Sequence, residues 1–177
     1  MRKVTLWIAE TAAMLAILIA IQALTKPAGQ LVTGTLVNAI LAITVAVCGV
    51  RSGAVVALVS PVLAFLLGIA PQVLTVPAIM AGNLVFVLIL SIPAKGLFTR
   101  ILWTAVAAIA KFAVLYALVV QVICNLAADR LLEKGLMKLP MLQALPATFT
   151  WPQLITATLG GAVAFWVAPL LKKALRR

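Results

Sequence analysis

The residue with the most chemistry to explain is Lys111, which stands inside an apolar run with Trp103, Ala107, Ala108 and Phe112 around it. A lysine at the centre of a membrane-spanning helix costs about 2.5–3.5 kcal/mol on insertion scales. Its side chain is too far from either helix end to reach water easily. The ammonium therefore needs a partner. One reading places it in a polar cavity, against a carboxylate, phosphate or ring carbonyl. The other pairs it with helix carbonyls, an Asn or a Tyr inside the protein.

Further polar side chains lie at similar depth when the apolar segments are laid out at ~1.5 Å per residue. Asn38, Asn83, Tyr116 and Thr156 fall roughly 6–12 Å from the same end of their helices. Each alone is explained by interhelical hydrogen bonding, worth about 0.6 kcal/mol on average. Their shared depth is what suggests a pocket. The stretch Gln30-Leu31-Val32-Thr33-Gly34-Thr35-Leu36-Val37-Asn38 adds small and hydrogen-bonding residues where a loop enters the second helix. It suits close approach of a ligand, and it equally suits a helix cap with Thr33 as the capping residue. Ser60-Pro61 reads as a kink in the third helix rather than a contact.

The first helix carries Ala9, Ala13, Ala16, Ala20 and Ala23 at spacings of four, three, four and three, which draws one smooth stripe. Such faces let helices approach closely, either within one bundle or against a separate subunit. Glu10 flanks the stripe, where an Arg or Lys could pair it.

The elements that hold these residues follow from composition. The chain is 66% hydrophobic and 10% charged, with a mean hydropathy of +1.26, against roughly 45–50% apolar and 25% charged for soluble domains. In lipid every backbone polar group must pair within the chain, which leaves helices or a closed barrel. Barrel strands alternate apolar and polar residues, whereas Ala54 to Ile69 is apolar on both faces. The reading is an all-α, polytopic membrane protein: one domain of six transmembrane helices over about 4–24, 32–50, 53–70, 76–93, 100–124 and 152–171. Lys26-Pro27-Ala28-Gly29, Arg51-Ser52-Gly53, Ala70-Pro71-Gln72 and Pro93-Ala94-Lys95-Gly96 mark the breaks. Residues 125–151 mix charges with leucines and prolines, and predict a short amphipathic helix followed by an irregular cap outside the membrane. The Arg2-Lys3 start has the form of a secretory leader, but Glu10 interrupts the apolar run, so the segment reads as helix one.

Positive charge sets the orientation. With both termini cytoplasmic, Arg2, Lys3, Arg51, Lys95, Arg100, Lys172, Lys173, Arg176 and Arg177 lie inside, against Lys26, Arg130, Lys134 and Lys138 outside. These basic residues border apolar runs and meet lipid headgroups of the bilayer. No basic, aromatic-interleaved stretch offers a surface to nucleic acid.

Enzyme chemistry finds no components. Histidine is absent and the helices hold one carboxylate, so neither a nucleophile with its base nor a ligand set for a metal can be assembled, and Lys111 with a Ser or Tyr would be the only pair. Cys48 and Cys124 lack metal-ligand spacing and read as small buried hydrophobes. No cofactor is implied. No glycine loop ending in Lys-Ser/Thr is present to bind ATP phosphates, so energy for any transport comes from a gradient or a partner.

These features together resemble the substrate-binding S components of energy-coupling-factor (ECF) importers, which carry vitamins and other micronutrients into prokaryotes. The resemblance covers nearly the whole chain. It rests on size, six helices, the alanine ladder, Thr33-Gly34-Thr35-Leu36-Val37-Asn38, Leu58-Val59-Ser60-Pro61-Val62-Leu63-Ala64-Phe65, Pro77-Ala78-Ile79-Met80-Ala81-Gly82-Asn83 and Lys111-Phe112. It implies a subunit of the prokaryotic cell membrane that binds a small water-soluble substrate in its outer half. Such a subunit docks on a T component energised by two ATP-binding subunits and topples in the membrane to deliver its load. The family's AxxxA docking motif matches Ala9 and Ala13, with Ala13 and Ala16, displaced by a turn and three residues apart, as the alternative. The family's substrate-contacting regions map onto Gln30, Thr33, Asn83, Lys111, Tyr116 and Gln153, beside Asn38 and Thr156 from the depth argument. The substrate stays open. Two rivals remain: a structural or assembly subunit of a membrane complex, whose polar residues only join helices, and a stand-alone gradient-driven carrier.

Overall fold

The computed structural model describes residues 2–70 and 72–175. Pro71, read above as part of a helix-ending break, and Arg176 and Arg177, counted with the basic C-terminus, lie outside the described residues, as does the side chain of Arg2. The described chain is helical and contains no strand. Helix α1 spans Arg2–Thr25, α2 Gln30–Cys48, α3 Val50–Leu66, α4 Val76–Leu90 and α5 Leu97–Leu115, with short 3-10 turns at Lys26–Ala28 and Val73–Thr75. Helix α5 runs on through Tyr116–Leu126 as wider, π-helical turns; α6 Ala128–Glu133, α7 Leu139–Phe149 and α8 Trp151–Ala174 complete the chain. Five segments, built on α1, α2, α4, α5 and α8, are long and apolar enough to cross a membrane, and α3 is a shorter apolar helix of 17 residues.

Both ends of α3 fall earlier than the sequence suggests. The break expected at Arg51-Ser52-Gly53 lies instead at one residue, Gly49, whose φ of 88° and ψ of 171° lie in a region that in practice only glycine occupies. Ser52 and Gly53 are instead buried in the first turns of α3. A Cβ on Gly53 would meet Val45 Cγ2 at 2.5 Å, so this glycine serves close packing. At its other end α3 stops at Leu66 because Gly68 adopts φ 69° and the Ile69 and Gly68 amides donate back to the Ala64 and Phe65 carbonyls. That is the Schellman closure of a helix.

The predicted irregular cap after the short amphipathic helix is a second helix, α7. Pro140 stands in its first turn, where a missing N–H costs nothing. Leu142, Leu145 and Phe149, at i, i+3 and i+7, bury one face against Ala78 of α4 and Leu115 and Val119 of α5 and its extension.

Helix α2 is the central element. Every residue from Asn38 to Val45 is buried, as expected of a helix surrounded by others, and it packs most extensively on α8. Gly160 and Gly161 make this possible: Gly160 faces α2 and Gly161 faces Thr104 of α5, each too close for a side chain. Leu41, Val56, Phe86, Ala107 and Ala157 form the main core between α2, α3, α4, α5 and α8. Helix α1 lies at the edge, held by Leu18 and by a 2.8 Å hydrogen bond between the hydroxyls of Thr11 and Ser52. Its alanines Ala9, Ala13, Ala16, Ala20 and Ala23 are exposed along the whole stripe, so none of them is used within the bundle.

Candidate functional site

The core-facing stripe of α5 comprises Thr104, Ala107, Ala108, Lys111 and Leu115, so the helix period itself turns Lys111 inward. Lys111 is 3% exposed. Asn38 begins the buried run of α2, and Asn83 lies on the buried face of α4 one turn before Phe86. These three helices bring the Lys111 ammonium to 2.5 Å from Asn38 Oδ1 and 2.7 Å from Asn83 Oδ1, with its charge 5.4 Å from the centre of the Phe86 ring. Two of the three N–H donors of the ammonium go to these neutral amide oxygens. The Asn38 amide is held in turn by Thr156: its Nδ2 donates to Thr156 Oγ1 at 3.3 Å, and that hydroxyl donates to the Gln153 carbonyl.

Above this cluster lies a cavity of about 290 Å³ at the end of the bundle where α1 and α3 finish and α2, α4 and α8 begin. Gln30, Thr33, Asn38, Asn83, Lys111 and Gln153 all line it. Thr156 is fully buried behind the wall and reaches the cavity through its hydrogen bonds to Asn38 and to the Gln153 carbonyl. Tyr116 is placed elsewhere: it is exposed, stacks on Phe112 at 5.8 Å, and accepts a hydrogen bond from Gln121 Nε2. Thr33 does not cap α2, which starts three residues earlier at Gln30. Its hydroxyl donates to the Thr25 carbonyl at 2.7 Å and ties α2 to the end of α1.

Several lining residues had no signal, or a different one, in the sequence. Ser60 and Pro61, read as a kink, lie inside α3 with both residues buried against the cavity. Gln72 and Thr75 enter from the α3–α4 connection and are buried, with Thr75 Oγ1 donating to the Gln72 carbonyl. Gln22 enters from α1, and its Oε1 is buried with no donor. A lone amide in an otherwise apolar run is the clue that could have found it. Met141, Leu145 and Phe149 of α7 form the apolar wall opposite the α1–α2 connection. Across the mouth, Lys26 Nζ donates to the Gly68 carbonyl at 2.8 Å and fastens that connection to the end of α3.

The electrostatics of the cavity are one-sided. Two lysines line it and no carboxylate does. A lysine buried among neutral amides and a ring face has no counter-charge beside it, and holding it charged there is costly in a low-dielectric interior. The arrangement suits recognition of an acceptor: the Lys111 amino group and amide donors at one end, and apolar walls beside them. The volume matches the small end of ligand pockets, roughly 300–1,000 Å³. Among the described residues no group of three or more His, Cys, Asp or Glu side chains is placed to hold a metal ion. No protein-family model, curated protein or solved structure matches the chain.

Proposed function

We propose that this chain is the substrate-binding subunit of an ATP-driven importer of the ECF type, seated in a prokaryotic cell membrane as a six-helix unit with cytoplasmic termini. It captures a small, water-soluble, vitamin-like nutrient from outside and docks on a T component with two ATP-binding subunits. The observation that carries the reading is the Lys111–Asn38–Asn83 cluster at the floor of a ligand-sized cavity that contains no counter-charge. A ligand carboxylate, phosphate or ring carbonyl supplies the missing acceptor for Lys111. The exposed alanine stripe of α1 supports the docking half of the proposal, because a smooth helix face left unused by its own bundle is available to a second subunit.

The test is mass spectrometry of small molecules released by denaturing the detergent-purified protein, with Lys111→Met as control. The expected result is a stoichiometric compound bearing an anionic or carbonyl group, absent from the variant. Repeated absence of any compound from cells grown in rich medium would favour the assembly-subunit alternative, in which the cluster only joins helices.

A further inference from the structure

A second cavity, of about 350 Å³, opens at the opposite end of the bundle, where α2, α4 and α8 finish and α5 begins. Its walls are apolar, with Ala46 of α2, Leu90 of α4 and Phe165 of α8 among them, and its lining carries two exposed cations, Arg100 and Lys172, together with Trp103. No carboxylate lines it. The helix packing explains why both cations lie at this cavity. Gly161 seats α8 directly on Thr104 of α5. Arg100 lies one turn before Thr104, and Lys172 lies eleven residues, close to three whole turns, after Gly161. Both therefore sit on the contacting faces of their antiparallel helices, towards the same end.

Like charges that share a cavity repel, and Arg100 adds to this by standing in the first turn of α5, where the helix already presents partial positive charge. An anion relieves both effects. A guanidinium is the side chain best matched to phosphate oxygens, and an indole is at home at headgroup level. A soluble anion would leave the apolar walls unused. An acidic peptide would have to enter walls built from four of the segments long and apolar enough to cross a membrane. A phospholipid uses every part: headgroup phosphate at the cations, acyl chain along the wall.

We infer that this cavity is a binding site for an anionic phospholipid, its phosphate held by Arg100 and Lys172 and an acyl chain laid over Ala46, Leu90 and Phe165. Its lining shares no residue with that of the Lys111 cavity.

The experiment is native mass spectrometry of the full chain in detergent, titrated with phosphatidylglycerol and with phosphatidylcholine of the same acyl chains. Wild type should retain phosphatidylglycerol in preference. The Arg100→Gln/Lys172→Gln variant should lose it by roughly 30-fold, and Lys172→Gln alone by roughly 5-fold. Lys95→Gln/Lys173→Gln removes the same net charge outside the cavity and should behave as wild type. Equal retention of both lipids, an equal loss in the Lys95/Lys173 control, or displacement of phosphatidylglycerol by millimolar inorganic phosphate would each overturn the assignment. The single variant keeps the test decisive if the double variant does not fold.

Discussion

Gly160 of α8 and Asn38 of α2 are in direct contact: a Cβ built on Gly160 falls 2.5 Å from Asn38 Cβ and 2.7 Å from both the Ala39 nitrogen and the Thr35 carbonyl oxygen. Two of these neighbours are backbone, so no side-chain rotation relieves the clash. The same contact places the Asn38 amide between Lys111 and Thr156. Packing and site geometry are therefore one feature here.

Gly160→Ala should push α8 away from α2. Overpacking of this kind costs about 1–3 kcal/mol, read as a lower thermal midpoint in detergent, and the displaced Asn38 should weaken ligand retention as well. Gly96→Ala is the control, since a Cβ there meets nothing within 4 Å. A Gly160→Ala protein that unfolds and binds like wild type would refute the coupling.

Lys111→Met separates the two readings of the buried lysine by setting its effect on binding against its effect on the empty protein. Removing the lysine relieves its desolvation cost but leaves the Asn38 and Asn83 Oδ1 atoms without that donor, at about 1–3 kcal/mol each, so the two effects offset and the unliganded midpoint should change little. Ligand affinity should fall by roughly 10–150-fold, the worth of a charge-assisted hydrogen bond of about 1.5–3 kcal/mol. A variant that is destabilised when empty yet binds normally would assign Lys111 to helix joining alone.

The all-helical bundle of long apolar helices was legible because composition and backbone chemistry leave few alternatives, and the inward face of Lys111 was legible because a central lysine has nowhere else to go. Depth along a helix, however, is only one of two coordinates. Tyr116 shares the depth of Asn38 and Asn83, but it lies five residues after Lys111, which is about 140° round the helix, and it faces out. Thr156 has the right depth and direction yet stands one hydrogen bond behind the cavity wall. The helical nature of α7 was hidden by its two prolines, which read as breakers, although the Leu142, Leu145 and Phe149 spacing was present. Gln72 and Thr75 belong to a connection whose path depends on where α3 ends, and that end is set by Gly68.

Gln22 and Tyr116 together test which residues face the ligand. Gln22→Leu removes an amide from the cavity lining and should lower affinity by roughly 2–12-fold, matching a neutral hydrogen bond of about 0.5–1.5 kcal/mol. Tyr116→Phe deletes only the bond from Gln121 and should leave affinity unchanged. Calorimetric titration with the released compound compares the two. The reverse pattern would move the ligand to the outer face of α5.

Ala13→Leu tests whether the outward stripe of α1 is a docking surface. Ala13 is exposed, so the larger side chain meets no neighbour in this chain and should alter neither the unfolding midpoint nor ligand affinity of the isolated protein. On a surface against which another helix packs closely, the same side chain holds the partner off, and contacts that depend on small residues are lost together. Cellular uptake of the ligand should therefore be abolished while binding persists. Ala162→Leu, on the exposed face of α8, adds the same bulk away from the stripe and should transport normally. Normal uptake with Ala13→Leu would place the docking face elsewhere, and loss of uptake with both variants would show that bulk on any lipid-facing surface interferes. Only the split result ties the exposure of the stripe to a partner.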